Sequence, residues 1–291
     1  MKLLSKFNLI VFVLFAIGGL IISDFTKGLL IHSARNEVLR EAELMMASAS
    51  SVRDYTASDL APLLEQNPQH HEKFLPETVP AFAAINTFQK LREMYPDYTY
   101  HEATLNPTNP VHRAVDWESD VIRYFADHPG QKQFIGERIS ATGPSLYLAR
   151  PMVAGPPCLE CHSRPALAPA AMITRYGSDN GFGWKEGSIV AAQIVSVPMS
   201  VPIENATRAF HLLLVYILVT LFVVAVVLDL GVFFVVIRPI KVVAEAADRA
   251  SKGEINAPRL ASKGKDEIAA LTAAFNRMQV SLAKALKMLG N

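Results

Sequence analysis

Two long apolar runs divide the chain. The first, Leu9 to Ser23 (LIVFVLFAIGGLIIS), follows a short leader carrying Lys2 and Lys6. The second, Leu212 to Ile237, is 26 residues long and ends at Arg238-Pro239, more than the roughly 20 residues a helix needs to cross a bilayer. Asp24-Phe25-Thr26-Lys27 and the apolar Gly28 to Ile31 follow the first run. No small-residue cleavage site stands there, so the run reads as an uncleaved signal anchor. Lys2 and Lys6 precede one span, and Arg238 and Lys241 follow the other. The positive-inside rule then puts both termini in the cytoplasm and the intervening segment outside. The expected organisation is a stub and anchor over 1–31, an exterior domain over 32–208, a second span over 209–237 and a cytoplasmic tail over 238–291. Asp229 lies about eight residues, or about 12 Å of helix, inside the second run. A carboxylate at that depth is costly, and it reads either as a polar contact, between protomers or at a coupling point, or as a side chain reaching toward the interface.

Outside the spans the periodicity changes. From Ser33 to about Gln66, Val38, Leu39, Ala42, Met45, Met46, Ala49 and Val52 recur at three-to-four spacing, which predicts a long amphipathic helix that Pro62 kinks or ends. A second helix is expected over Thr78 to Met94 and a third over Trp117 to His128. Strands are expected over Tyr98 to Thr104, Gln133 to Ser140, Ser145 to Val153 and Gly187 to Met199, where aromatic and β-branched residues gather. The middle two form a hairpin across Ala-Thr-Gly-Pro. Asn106-Pro107-Thr108-Asn109-Pro110 reads as turns. Tyr176 to Trp184 is a glycine-rich loop that lacks the glycine spacing and lysine-serine pair of a nucleotide site and is expected to shape one wall of a cavity. The fold class is α+β.

In the tail, Ile240, Val243, Ala247 and Ala250 step by three and four residues before Ser251-Lys252-Gly253-Glu254 breaks the pattern. A connector with Ile255 and Leu260 follows. A second helix opens at Asp266-Glu267 and places Ile268, Leu271, Phe275, Met278, Leu282, Ala285 and Leu289 in heptad order.

Composition changes this picture little. The net charge of +1 gives no sign of nucleic acid, and the 51% hydrophobic content is concentrated in the two spans. The two cysteines change it more, because both fall in Cys158-Leu159-Glu160-Cys161-His162, a c-type haem attachment pattern. Two thioethers would hold one haem covalently, and His162 would be its proximal iron ligand. A CxxC redox pair, a structural disulfide and half of a metal site compete with this reading. A zinc site lacks a second CxxC to complete it. Gly155-Pro156-Pro157 before the motif does not resemble the strand-to-helix entry of a thioredoxin-type CxxC. The exterior placement agrees with the haem reading, since bacteria attach haem covalently on the outer face of the inner membrane.

The exterior segment resembles a group of periplasmic c-type haem sensor domains with a PAS-like fold. Asn106 to Pro110 with Asp116-Trp117-Glu118, Tyr147 to Pro151, Cys158 to His162, Tyr176 to Trp184 and Val195 to Met199 carry the resemblance. The tail resembles the HAMP linker of bacterial receptors through Pro239, Gly253-Glu254 and Asp266-Glu267. HAMP helices from two protomers form a four-helix bundle, so that resemblance implies a homodimer. At least one relative of the exterior domain resembles a His/Cys-ligated haem, and this chain has no third cysteine. The distal position is therefore open among Met45, Met46, His70, His71, His101, His112 and His128. Arg138, Arg150 and Lys185 are candidates for pairing with haem propionates.

Together these readings predict a membrane-bound sensor and no catalytic output domain. It would detect redox state or a diatomic gas and signal through HAMP to a separate cytoplasmic partner. A membrane-tethered electron-transfer cytochrome is the rival, and it leaves the heptads unexplained. An enzyme of the peroxidase or nitrite-reducing kind would want an acid-base constellation beside the motif, and the sequence offers none.

Overall fold

The computed structural model describes residues 3–66, 75–254, 257–261 and 264–289. The chain divides into two units, residues 27–209 and residues 1–26 with 210–291.

The first helix, α1 (Leu3–Tyr55), takes in the first apolar run and the amphipathic stretch without a break. It does not stop at Pro62. A π-turn (Thr56–Leu60), closed by Ala61 N–H donating to the Thr56 carbonyl, leads into α2 (Ala61–Glu65). Proline has no N–H, and its ring meets the carbonyl four residues back. Widening the preceding turn gives it room, so a wide turn stands where the sequence predicted a kink or an end.

In the same unit, α3 (Pro80–Met94) is followed by β1 (Thr99–Thr104), α4 (Asp116–Asp127), β2 (Phe134–Ser140), β3 (Gly143–Val153), α5 (Pro156–His162), α6 (Ala170–Tyr176) and β4 (Ile189–Pro198). The four strands form one antiparallel sheet in the order β1-β4-β3-β2, and the expected hairpin is β2–β3. Strand alternation sends Tyr100, Leu146, Leu148, Val195 and Val197 to one face, where they pack on Val38, Ala42, Met46 and Ala49 of α1 and Ala84, Ile85 and Phe88 of α3. Ala103, Ala149, Ala192 and Ile194 pack on Val121, Ile122 and Phe125 of α4 on the other face. The sheet is thus covered on both sides, an α+β arrangement. Glu118 starts α4 by accepting from Val115 N–H at 3.0 Å, satisfying one of the donors a helix start leaves open.

In the other unit, α7 (Ser200–Val232) carries the second apolar run. A π-turn (Phe233–Ile237) beside Pro239, closed by Arg238 N–H on the Phe233 carbonyl, leads into α8 (Arg238–Ser251). Both apolar helices are long enough to cross a membrane. Asp229 accepts a 3.0 Å bond from Asn8 Nδ2. Asp266 caps α9 (Glu267–Leu289) by accepting from Ala269 N–H at 2.8 Å. Val243, Ala246, Ala250 and Phe275 form a small core with Ala247 and Leu260 against it. Ala246 is buried where Ala247 was expected and Ala247 is only partly buried, while Ile240 is 37% exposed. Leu271, Met278 and Leu282 are 46%, 53% and 40% exposed, leaving much of the heptad stripe uncovered within one chain. Ile255 of the connector lies outside the described residues.

Candidate functional site

Cys158, Cys161 and His162 stand on α5, not at the end of a loop. Prolines at its first two positions suit a helix start, where the missing N–H is not needed. The Gly-Pro-Pro that looked like a loop is therefore the helix's opening, and the CxxC does open a helix just after β3, so the expected lack of a strand-to-helix entry is corrected. Both cysteines are free thiols, half-buried. Burial, with the Glu160 and Glu65 carboxylates and Cys158, pushes the Cys161 thiol up.

His162 ends the helix with its ring fixed on two sides. Its Nδ1 lies 2.7 Å from the Gly181 carbonyl and 3.4 Å from Thr108 Oγ1. A carbonyl only accepts, so Nδ1 carries the proton and Nε2 the free lone pair. The ring stacks on Trp184 at 4.2 Å between centroids and 16° between planes. Burial lowers the imidazole's proton affinity, with the Gly181 bond acting in the opposite direction. The loop is tied to α5 through its backbone as well: Gly183 N–H donates to the Ser163 carbonyl at 3.1 Å and Trp184 N–H to the His162 carbonyl at 3.2 Å. Gly181 has φ +85°, and a Cβ there would collide with Thr108. Only glycine allows its carbonyl to reach the histidine while the Asn106 to Pro110 turn presses against it.

His162 lines a cavity of about 170 Å³. Val79, Phe82 and Ile85 line one part of it, Glu102, Thr104 and Ala191 the sheet, and Pro107, Thr108, Asn109 and His112 the turn, while Met152, Met172, Tyr176 and Trp184 complete the wall. The expectation that the glycine-rich loop walls a cavity holds for Trp184. Behind Glu102 lies a polar group that the sequence did not reveal. Arg53 Nη1 on α1 contacts both Glu102 oxygens, at 2.6 and 2.5 Å. Tyr100 OH donates to Glu102 Oε1 at 2.6 Å, and Gln193 Nε2 donates to Tyr100 OH at 3.1 Å. Burial and Glu102 raise the Tyr100 phenol far above its ordinary range, so it stays a donor.

Of the seven distal candidates, only His112 joins His162 in the cavity wall among the described residues. Its Nδ1 is buried with no hydrogen-bond partner. Met46 is fully buried in the core between α1 and the sheet, and Met45 lies at the margin of that core. His101 points to the other side of β1 and pairs with Glu118 at 2.9 Å. His128 is exposed, bonded to the Tyr124 carbonyl at 2.9 Å. His70 and His71 lie outside the described residues. Arg138 lies 4.5 Å over the Trp117 ring, and neither Arg150 nor Lys185 lines the cavity.

Comparison with known proteins agrees with this division. Residues 31–198 match the family model described as Tll0287-like, Tll0287, and residues 235–284 match that of the HAMP domain. One solved structure, "Crystal structure of the cyanobacterial heme-protein Tll0287", aligns at 16% identity over 56% of this chain and 95% of its own, with a TM-score of 0.44. No curated protein matches the chain.

Proposed function

The chain belongs to the Tll0287-like family, and from that premise we infer that it is a membrane-bound haem sensor with a HAMP domain as its transmitter. The cyanobacterial relative is described as a heme-protein, and the residues around this cavity fit such a group. Cys158 and Cys161 supply free thiols three residues apart on one helix. His162 supplies an imidazole whose Nδ1 is held by Gly181, the backbone bond by which ligating histidines are usually oriented. That held ring with its free Nε2 is the observation that carries the proposal. Thioether attachment uses both thiols and the adjoining imidazole together, which redox exchange does not. The cavity is smaller than the roughly 300 Å³ at which ligand pockets usually begin, so the group would be only partly covered.

When bound, haem supplies a one-electron couple and an iron that takes axial ligands. His162 would ligate the iron, and His112, which lines the same cavity with a buried unpartnered Nδ1, would be the described candidate for a second ligand. Lys2 and Lys6 before the first apolar run and Arg238 and Lys241 after the second favour an orientation with the domain, PAS-like in our reading, outside the bacterial inner membrane and both termini in the cytoplasm. The uncovered stripe of Leu271, Met278 and Leu282 is the face a second copy covers in a HAMP bundle, so the signalling unit is a homodimer. Its partner is a cytoplasmic protein acting in trans, and the protein is a transducer, not a catalyst.

Spectra of purified full-length protein test the reading. A pyridine haemochrome of the c type is expected, lost in the Cys158→Ala, Cys161→Ala double variant. Low-spin spectra in both redox states are expected to become high-spin in His162→Ala. Protein that binds no haem when expressed with a cytochrome c maturation system would refute the proposal. Replacing residues 239–291 should abolish signalling and leave haem reduction unchanged; if electron flow alone restores the phenotype, the cytochrome reading replaces this one.

A further inference from the structure

Glu102 and Arg53 form the one ion pair among those found in the described residues that touches the cavity. We propose that this pair couples the charge of the haem site to α1: Glu102 faces the site and sets its reduction potential, and Arg53 carries the change into the helix. The inference rests on the haem reading.

Three observations support it. Glu102 is 5% exposed and lines the cavity with His162, so its carboxylate acts in surroundings where screening by water is weak. Both of its oxygens are held by one guanidinium, and one also by Tyr100, so the charge is fixed in position. Arg53 lies on α1, three residues before the π-turn at Thr56–Leu60. Single wide turns of this kind occur frequently at functional sites, and this one is the irregularity in the helix nearest the pair.

An electron entering from an outside one-electron donor converts ferric to ferrous iron. Glu102 then faces one positive charge fewer, and its attraction to the site weakens while its contact with Arg53 does not. Arg53 gains a larger share of the carboxylate, and the end of α1 follows the guanidinium. The converse also holds: whatever moves Arg53 changes the potential, because coupling of this kind is reciprocal.

The test is a dithionite titration of full-length protein in detergent, followed by absorbance. Glu102→Gln removes the negative charge while its remaining oxygen still accepts from Tyr100 and Arg53, so the midpoint potential should rise relative to wild type. Arg53→Gln leaves the carboxylate uncompensated, so the potential should fall. Equal potentials in all three proteins overturn the inference. Should the variants not hold haem, hydrogen exchange of the wild type decides. Amides of residues 53–60 should change protection between the oxidised and reduced states, and unchanged protection overturns the inference. A wild type without haem c refutes the haem reading instead, so the two failures are distinguishable.

Discussion

Gly181→Ala separates what the glycine-rich loop does for its own backbone from what it does for His162. At φ +85° any side chain costs about 1–2 kcal/mol. The new Cβ would also come within 2.7 Å of Thr108 N and 2.8 Å of Thr108 Cα, backbone atoms that cannot rotate away. The loop must therefore shift, and the 2.7 Å bond from His162 Nδ1 to the Gly181 carbonyl is lost, at about 1 kcal/mol. Gly183 is the control: its φ is +82° and nothing lies within 4 Å of a Cβ placed there, so Gly183→Ala carries the backbone cost alone. Gly181→Ala should be less stable than Gly183→Ala by at least about 1 kcal/mol, which lowers the melting temperature by a further 2–4 °C or so for a domain of this size. Thermal melts by circular dichroism on the full-length protein measure the difference. Fluorescence of Trp184 in a Trp117→Phe background reports the stacked ring directly. If both alanine variants melt together and the Trp184 signal is unchanged, Gly181 does not hold His162.

Three further outcomes are expected. The hydrogen bond to Glu118 raises His101 above its ordinary value, with burial opposing. That stabilisation is full below about pH 6.5 and is lost as pH rises through the raised folded value. The gap in urea midpoint between wild type and His101→Gln should narrow above pH 6.5, and a gap that widens would refute the pairing. Leu146→Ala removes a fully buried side chain from the core between α1 and the sheet and should cost about 2–5 kcal/mol by chemical denaturation; a loss under about 1 kcal/mol would mean the core is not packed as described. Asn8→Leu and Asp229→Leu should show a coupling of about 0.6 kcal/mol in a double-mutant cycle if the bond between them forms in the membrane, and zero coupling would dismiss it.

The spans and heptads were legible because each is a repeat along the chain, and the attachment motif because its chemistry is confined to five residues. The other side of the site was not. Thr108, Gly181 and Trp184 lie far from His162 in sequence and meet it only through the fold. The stretches containing them stood out as family marks without a chemical reason, which the structure supplies. Periodicity placed Met45 and Met46 near one helix face, yet it identifies a face and not a layer, and both pack in or beside the core, away from the cavity. Nothing local marks Arg53 and Glu102 as two charges that will meet beside the cavity. At Pro62, read as a kink or an end, the preceding turn widens and a further helical turn follows.

That widening occurs twice, at Thr56–Leu60 before Pro62 and at Phe233–Ile237 before Pro239. Each residue advances an α-helix by about 100°, so a turn with one residue too many offsets the angular phase of everything beyond it. At Pro239 the wide turn sets which side of α8 continues the line of the α7 residues before it. The face bearing Val243, Ala246 and Ala250 is therefore indexed by a single spare residue. In a helix of this kind, rotation can be stored as chain length, and a signal could be expressed as the gain or loss of that one residue's phase.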